Sequence, residues 1–156
     1  MSTQTSGGDA VPRETTLRSV ADQIAALNAH DAPRFAAFFS EDTVLVDPSY
    51  PEPLRGRAAI EEDMTSFLGA FPDLRMEVTR TVVGGAEVAV EAVGTGTHTG
   101  ALVLPAGEIP PTGRSVRFAF AVFDTLDDRG LIAEERRYYD VMSMMAQLGV
   151  GQQGAP

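Results

Sequence analysis

Residues 75–100 read RMEVTRTVVGGAEVAVEAVGTGTHTG, and this stretch decides the fold class because apolar and polar residues alternate along it. Such alternation is typical of β-strands that bury one face. The Gly84-Gly85 pair in the middle is typical of a tight hairpin turn. We therefore predict two long antiparallel strands joined at these glycines.

Two further strands are predicted downstream of this hairpin. Residues 115–126, SVRFAFAVFDTL, place four apolar side chains on one face, namely Val116, Phe118, Phe120 and Val122. The last strand is predicted over residues 131–140, LIAEERRYYD. The segment between the hairpin and these strands, 101–114, is predicted to be a loop because consecutive prolines cannot sit in a central strand.

Upstream of the hairpin the apolar residues recur at helical spacing. They predict one helix from Thr16 to about residue 28, a second in 33–42, and a third from about Arg57 to Phe71. A short strand at 43–48 lies between the second and third helices, and a Met-rich helix follows the last strand. This segregation of helices and strands predicts an α+β fold, with helices on the concave face of a curved antiparallel sheet that encloses a conical pocket.

The length of 156 residues suits one domain, which we place at residues 15–150. Residues 1–14 are expected to form a disordered leader and residues 151–156 a flexible tail, because both are rich in small and polar residues. The N-terminal stretch lacks the pattern of a signal peptide, so we expect a cytoplasmic protein.

Charge and composition exclude several classes of partner. The net charge of −10 would repel nucleic acid and anionic membrane surfaces, so neither is expected to bind. The chain has no Cys and only two His, which excludes thiolate chemistry and leaves no recognisable metal-ligand set. No glycine-rich phosphate loop is present, and we expect no cofactor.

Several motifs occur together in a characteristic order over about residues 16–149. They are LNAHD, FFSEDTVLVDP, GRAAI, FPDLRMEV, GTHTG, PPTGRSV, GLIAEERRYYD and QLG. In this combination the chain resembles the SnoaL-like polyketide cyclases of the NTF2-like, ketosteroid-isomerase-like superfamily. The resemblance implies an NTF2-like conical barrel with three N-terminal helices over the concave face of the sheet. It also implies a cyclase that acts on a small apolar or polyketide-like substrate, and a homodimer formed through the convex face of the sheet.

The resemblance also locates a departure from the aldol cyclases of this family. Their acid/base Asp lies three residues before the Asp that ends the last strand, and that position is Arg137 here, before Asp140. The assisting His of the preceding strand is missing as well. We therefore expect ring closure by orientation of the substrate and polarisation of a carbonyl, with Arg137, Tyr139 and His98 as the polarising candidates.

Acid/base chemistry is the alternative enzymatic reading. The ketosteroid isomerases place a base at the end of a strand of the V-x-D-P type, which matches Asp47, and related epoxide hydrolases use a strand-ending Asp such as Asp140. Asp140 also precedes a helix, where a carboxylate caps backbone N–H groups. Outside enzymology, the chain could be a binding protein for an apolar metabolite.

Which face of the last strand lines the pocket decides several of these roles. Residues 134–137, EERR, alternate between the two faces, and Arg137 groups with Tyr139 whereas Asp140 groups with Tyr138. The family placement favours Arg137 inside. The residues that we expect to bind substrate are Tyr139, Tyr138, Tyr50, Met64, Phe38 and Phe120.

Overall fold

The computed structural model describes residues 11–151 of the chain. In chain order the elements are α1 (Arg13–Asn28), α2 (Ala32–Ala36), β1 (Phe39–Val46), β2 (Leu54–Arg55), α3 (Arg57–Ala70), β3 (Arg75–Gly84), β4 (Glu87–Thr97), β5 (Leu102–Leu104), β6 (Gly107–Ile109), β7 (Ser115–Leu126), β8 (Ile132–Tyr139) and α4 (Val141–Gln147). The α+β class predicted from the sequence is confirmed.

Six of the strands form one curved sheet in the order β2-β1-β8-β7-β4-β3. Neighbouring strands run antiparallel except β1 and β8, which pair in parallel. The sheet does not close, because β2 and β3 remain as its edges. Helix α1 packs on β3 and helix α3 on β1, so the helices cover the concave face from both sides.

The hairpin predicted for residues 75–100 is present as β3 and β4, with its turn displaced by one residue. Gly84 pairs with Glu87, so the turn residues are Gly85 and Ala86 rather than Gly84 and Gly85. Gly85 has φ of 62°, a left-handed conformation that glycine adopts without steric cost. The second glycine of the pair therefore makes the turn.

The loop predicted for residues 101–114 is wrong in part, because it contains the small hairpin of β5 and β6. The consecutive prolines, Pro110 and Pro111, lie after β6 and so do not interrupt it. Leu102 of β5 is buried against α3. This hairpin therefore packs against α3, a partner that its own sequence does not reveal.

The first strand is longer than predicted. It begins at Phe39, because this residue pairs with Ile132 of β8 and its side chain is fully buried. Helix α2 is correspondingly short, with Asp31 capping its first turn, and Phe38 lies in the turn that follows. The short strand β2 follows the proline-rich segment 48–53 and pairs with β1.

The core lies between the helices and the concave face of the sheet. Its largest fully buried side chains include Phe39, Leu45, Ile60, Phe71 and Leu148. Burying one such side chain contributes roughly 1.5–3 kcal/mol relative to leaving it exposed. Because Leu148 follows α4, the C-terminal helix is anchored to the same core as the N-terminal helices.

The expected leader and tail fall mostly outside the described residues. Helix α1 begins at Arg13, so the last two residues assigned to the leader are helical. Within residues 11–151 no helix combines the length and the apolar character that crossing a bilayer requires.

Candidate active site

An apolar pocket lies between α1, α3 and the concave face of the sheet, and it has a polar floor. Aromatic and aliphatic side chains form most of its wall, including Ile24, Met64, Phe67, Phe118 and Phe120. The charged side chains among its lining residues come from α3, β7, β8 and the position just after β1. A ligand in this pocket would therefore have an apolar body with one end against charged groups.

Strand alternation decides which charged residues reach this floor. On β8, Glu135, Arg137 and Tyr139 line the pocket. Their register partners on β7 are Asp124, Val122 and Phe120, which line it as well. β1 runs parallel beside β8 with Leu45 opposite Glu135, and this register brings Asp47 next to Arg137.

Arg137 is the centre of the polar floor. Its Nε donates to Oε2 of Glu135 at 2.8 Å, and its Nη1 donates to Oδ2 of Asp63 at 3.0 Å and to Oδ2 of Asp47 at 3.3 Å. The Arg137 side chain is only 11% exposed. Burial alone would lower the pKa of this guanidinium, but the charges of the three carboxylates raise it well above its usual value. Arg137 is therefore a permanent cation in a shielded site.

Asp47 is held as an anion by four donors. Its Oδ1 accepts from Ser49 N at 2.8 Å, Ser49 Oγ at 2.7 Å and the Tyr139 hydroxyl at 2.7 Å, while Oδ2 accepts from Arg137. Burial acts to raise the pKa of Asp47, but the charge of Arg137 and the hydrogen bonds from Ser49 and Tyr139 outweigh it, so this pKa is lowered. Asp47 also starts the turn after β1, since the bond from Ser49 N closes the turn.

Two tyrosines complete the polar floor. The Tyr50 hydroxyl donates to Oδ1 of Asp63 at 2.6 Å, and the Tyr139 hydroxyl donates to Asp47. Burial raises the pKa of both phenols, and the carboxylates they contact raise it further. Both tyrosines therefore stay protonated and serve as hydrogen-bond donors at neutral pH.

Asp124 and Glu135 form a second carboxyl pair on the floor. They face each other across β7 and β8, and their residues are 4% and 3% exposed. Burial raises the pKa of Asp124 well above its usual value and the adjacent Glu135 raises it further, against the opposing charge of Arg137. Asp47 and Asp124 thus have pKa values shifted in opposite directions, an arrangement typical of sites that both donate and accept protons.

One nitrogen of the Arg137 guanidinium is available to donate to a ligand. Nη2 of Arg137 makes no hydrogen bond to any of residues 11–151, whereas Nε and Nη1 are both engaged. Since Arg137 lines the pocket, its remaining N–H groups can donate to an oxygen of a bound molecule. No group of side chains in the described part of the chain has an arrangement suited to a metal ion.

The expected site residues divide into those that the structure brings together and those that it does not. The ones that line the pocket are Asp47, Tyr50, Met64, Phe120, Arg137 and Tyr139. Tyr138 requires correction, because alternation along β8 turns it to the convex face, where it is 55% exposed and packs edge-on against Phe123. Phe38 also lies outside the pocket lining, and Phe35 of α2 lines the pocket instead.

His98 and Asp140 are likewise outside the lining of the pocket. His98 is fully buried beside Phe71, with Nδ1 bonded to Thr112, and burial lowers its pKa. Asp140 is exposed and its Oδ1 accepts from Ser143 N at 2.9 Å, which makes it the N-cap of α4. The expectation that His98 polarises a substrate in the pocket is therefore corrected, since it packs in the core. Of the two roles expected for Asp140, the structure shows the helix cap and does not place this carboxylate in the pocket.

Sequence reasoning missed Asp63 and Asp124. Asp63 lies on α3 one turn before Phe67 and one turn after Ile60, and that spacing was a usable signal for an inward position. Asp124 continues the alternating inner face from Val116 to Val122. An acidic residue at the end of an apolar row was thus visible in the sequence, but its partner Glu135 was not.

Comparisons with known proteins agree with this architecture. The family model of the SnoaL-like polyketide cyclases matches residues 18–148. The solved structure of IdmH from Streptomyces antibioticus, a proposed polyketide cyclase, is 27% identical over 86% of this chain and 99% of its own, with a TM-score of 0.68. A search among curated proteins finds no match.

Two further solved structures share the fold at lower identity. AclR from Streptomyces galilaeus, a proposed hydroxylase, is 24% identical over 88% of this chain and 98% of its own, with a TM-score of 0.73. SalBIII, an epoxide hydrolase/cyclase-like enzyme in pyran ring formation, is 22% identical over 83% of this chain and 94% of its own, with a TM-score of 0.69. One fold thus carries several described activities, so the reaction has to be argued from the site.

Proposed function

Because the chain belongs to the SnoaL-like polyketide cyclase family, we propose that it is a cyclase that closes a ring in a largely apolar, polyketide-like substrate without a cofactor. The observation that carries this proposal is an apolar pocket whose only cation among the described lining residues, Arg137, keeps a nitrogen free. The wall would fold the substrate, and the floor would polarise it.

The wall supplies orientation. Phe118 packs against both Phe67 and Phe120 at centroid distances of 6.3 Å, so the three rings form a continuous aromatic surface. A flexible chain held against such a surface loses the freedom that otherwise slows ring closure. Orientation of this kind supplies about 7–11 kcal/mol in the most favourable cases.

The floor supplies polarisation. Three carboxylates hold the guanidinium in one orientation, so it need not reorganise when charge develops on a substrate oxygen. Nη2 of Arg137 would donate to that oxygen. Losing one preorganised donor to such an oxygen costs about 10²–10³-fold in kcat.

A second candidate is acid/base chemistry such as isomerisation or epoxide opening, and the position of Asp47 in the pocket supports the second of these reactions. Asp47 lies in the pocket as an anion beside the protonated Tyr139. Its lowered pKa makes it a weak base, which suits the positioning of a hydroxyl or water better than the removal of a proton from carbon.

The test begins in the host. The gene is deleted, metabolites of the mutant and parent are compared by mass spectrometry, and the accumulated compound is incubated with the purified protein. Conversion to an isomer of equal mass with one more ring supports the cyclase. Conversion to a product heavier by one water supports epoxide hydrolysis instead.

A binding protein would behave differently in the same experiment. It would retain the compound on purification and return it unchanged after prolonged incubation. That outcome would overturn the proposed enzymatic function.

A further inference from the structure

A buried carboxyl with one oxygen that has no hydrogen-bond partner among the described residues lies on the floor of the pocket, away from the contacts of Asp47. Asp124 lines the pocket at 4% exposure, and its Oδ1 makes no hydrogen bond to any described residue. A buried polar atom without a partner costs free energy, so its retention calls for an explanation. A hydrogen bond made only to a bound ligand is such an explanation.

The charges around Asp124 favour a bound proton. Glu135 faces it from β8, and Arg137 next along the same strand is already bonded to Glu135, Asp63 and Asp47. On the other side its register partner on β4 is the apolar Val88. Four carboxyls therefore share one cation, and two of them lie side by side with little water. Two adjacent buried carboxyls do not both ionise readily, and one of them keeps its proton.

We propose that Asp124, which shares a proton with Glu135, is the catalytic general acid of this pocket and donates that proton to a substrate oxygen. The inference rests on the proposed cyclase function and names the group that moves the proton. Glu135 is the positioning residue, since it accepts from Arg137 and faces Asp124.

The proton balance of the step closes without a co-reactant. As the nucleophilic atom of the substrate forms the new ring bond, the electron pair of the carbonyl or epoxide C–O bond moves to its oxygen, which takes the proton of Asp124. The nucleophile then releases one proton, and the two adjacent carboxylates take it up. Substrate and product are isomers, and the pair returns to its starting state.

The first arm of the test measures the proton without any substrate. Infrared difference spectra of the full-length protein are recorded across pH, in H₂O and D₂O, for the native sequence, Asp124→Asn and the control Glu134→Gln. Glu134 is the neighbour of Glu135 on the convex face, where it pairs with the exposed Arg136. We expect a protonated-carboxyl band at neutral pH that is lost in Asp124→Asn and kept in Glu134→Gln.

The second arm measures turnover of the compound that accumulates in the deletion strain. We expect kcat of Asp124→Asn to fall by about 10²-fold or more, since general acids contribute about 10²–10⁴-fold. The native enzyme should lose activity as pH rises through the pKa of Asp124, which is raised above its ordinary value. Asp124→Asn should lose that pH dependence, and Glu134→Gln should behave as native.

The outcomes separate the two proposals. If Asp124→Asn turns over substrate at the native rate, or if the neutral-pH band is absent, Asp124 is not the general acid. The proposed cyclase function is not affected by either result. A native protein that converts nothing overturns the cyclase and the general acid together, whereas the infrared band still reports whether the pair holds a proton. Asparagine has the shape of the protonated acid, so we expect this variant to fold.

Discussion

At the residue scale, the site depends on one buried cation. The Arg137 guanidinium balances part of the charge of Asp47, Asp63 and Glu135, which come from β1, α3 and β8. A buried ion pair of this kind contributes little net stability, but removing one partner leaves the others uncompensated. The contacts that orient the Arg137 guanidinium therefore also make the fold dependent on it.

Arg137→Ala should cost both rate and stability. Three carboxylates would lose their cation, and we expect the free energy of unfolding to fall by about 3–5 kcal/mol. Chemical denaturation measures this loss. The matched control is Arg136→Ala on the convex face, where a 54%-exposed side chain pairs with Glu134 and contributes about 1 kcal/mol or less. Equal losses in the two variants would contradict the central role of Arg137.

Tyr139→Phe should weaken the hydrogen bonding that keeps Asp47 ionised. The variant removes one donor from Asp47 Oδ1, so the pKa of Asp47 should rise, and stability at neutral pH should fall by about 1–3 kcal/mol. NMR titration of the Asp carboxyl carbons follows the pKa. Tyr138→Phe is the control, because that hydroxyl lies on the outer face. If the pKa of Asp47 does not change, the contacts with Ser49 and Arg137 are enough to keep it low.

At the element scale, local sequence patterns predicted most of the strands and helices, and pairing partners decided the rest. The hairpin of β3 and β4 and the inner face of β7 follow from alternation within their own residues. The start of β1 at Phe39 does not, because it depends on the parallel partner β8, which lies far along the chain. The β5–β6 hairpin likewise depends on α3, against which Leu102 packs.

Asp140 belongs to this scale, because its bond to Ser143 N begins α4. Asp140→Ala should lower stability by about 0.5–2 kcal/mol through loss of the cap. Thermal or denaturant unfolding measures the change, and Asp140→Asn should restore most of it. Turnover per folded molecule should remain native, since Asp140 does not line the pocket. A large loss of kcat with normal stability would return Asp140 to the catalytic candidates.

At the scale of the whole molecule, the pKa of Asp124 connects the site to stability. The pKa of Asp124 is raised in the folded state. Its contribution to stability is therefore fully present at pH values below the ordinary pKa of an Asp carboxyl, 3.8. That contribution is lost as pH rises, because the unfolded chain ionises first. The burial of Asp124 therefore costs stability near neutral pH.

Asp124→Asn should consequently stabilise the protein relative to the native sequence as pH increases above about 3.8. Urea unfolding at a series of pH values tests this, with Asp128→Asn as the control, since Asp128 is an exposed residue of the loop after β7. A stability difference that does not depend on pH would show that Asp124 ionises normally in the folded protein.

The convex face of the sheet is the surface at which we expect a homodimer. Phe123 and Tyr138 pack edge-on at 5.9 Å there and are 56% and 55% exposed, and Val82 nearby is 47% exposed. Apolar side chains exposed together are typical of an interface. We expect sedimentation to show a dimer for the native chain and a monomer for Phe123→Glu, with Met142→Glu as a control on α4. A native monomer would contradict the expectation.

The sequence by itself determined the α+β class and the inner face of β7, because periods of two and of 3.6 residues are local properties of the chain. It also predicted Arg137 and Tyr139 together on one face. It did not determine which face of β8 lines the pocket. Only the tertiary structure decided which charges meet. Asp47, Asp63, Asp124 and Arg137 come from separate elements, and their distances depend on strand order and helix packing. Since burial and neighbouring charge set the pKa of each group, the lowered pKa of Asp47 and the raised pKa of Asp124 belong to the fold.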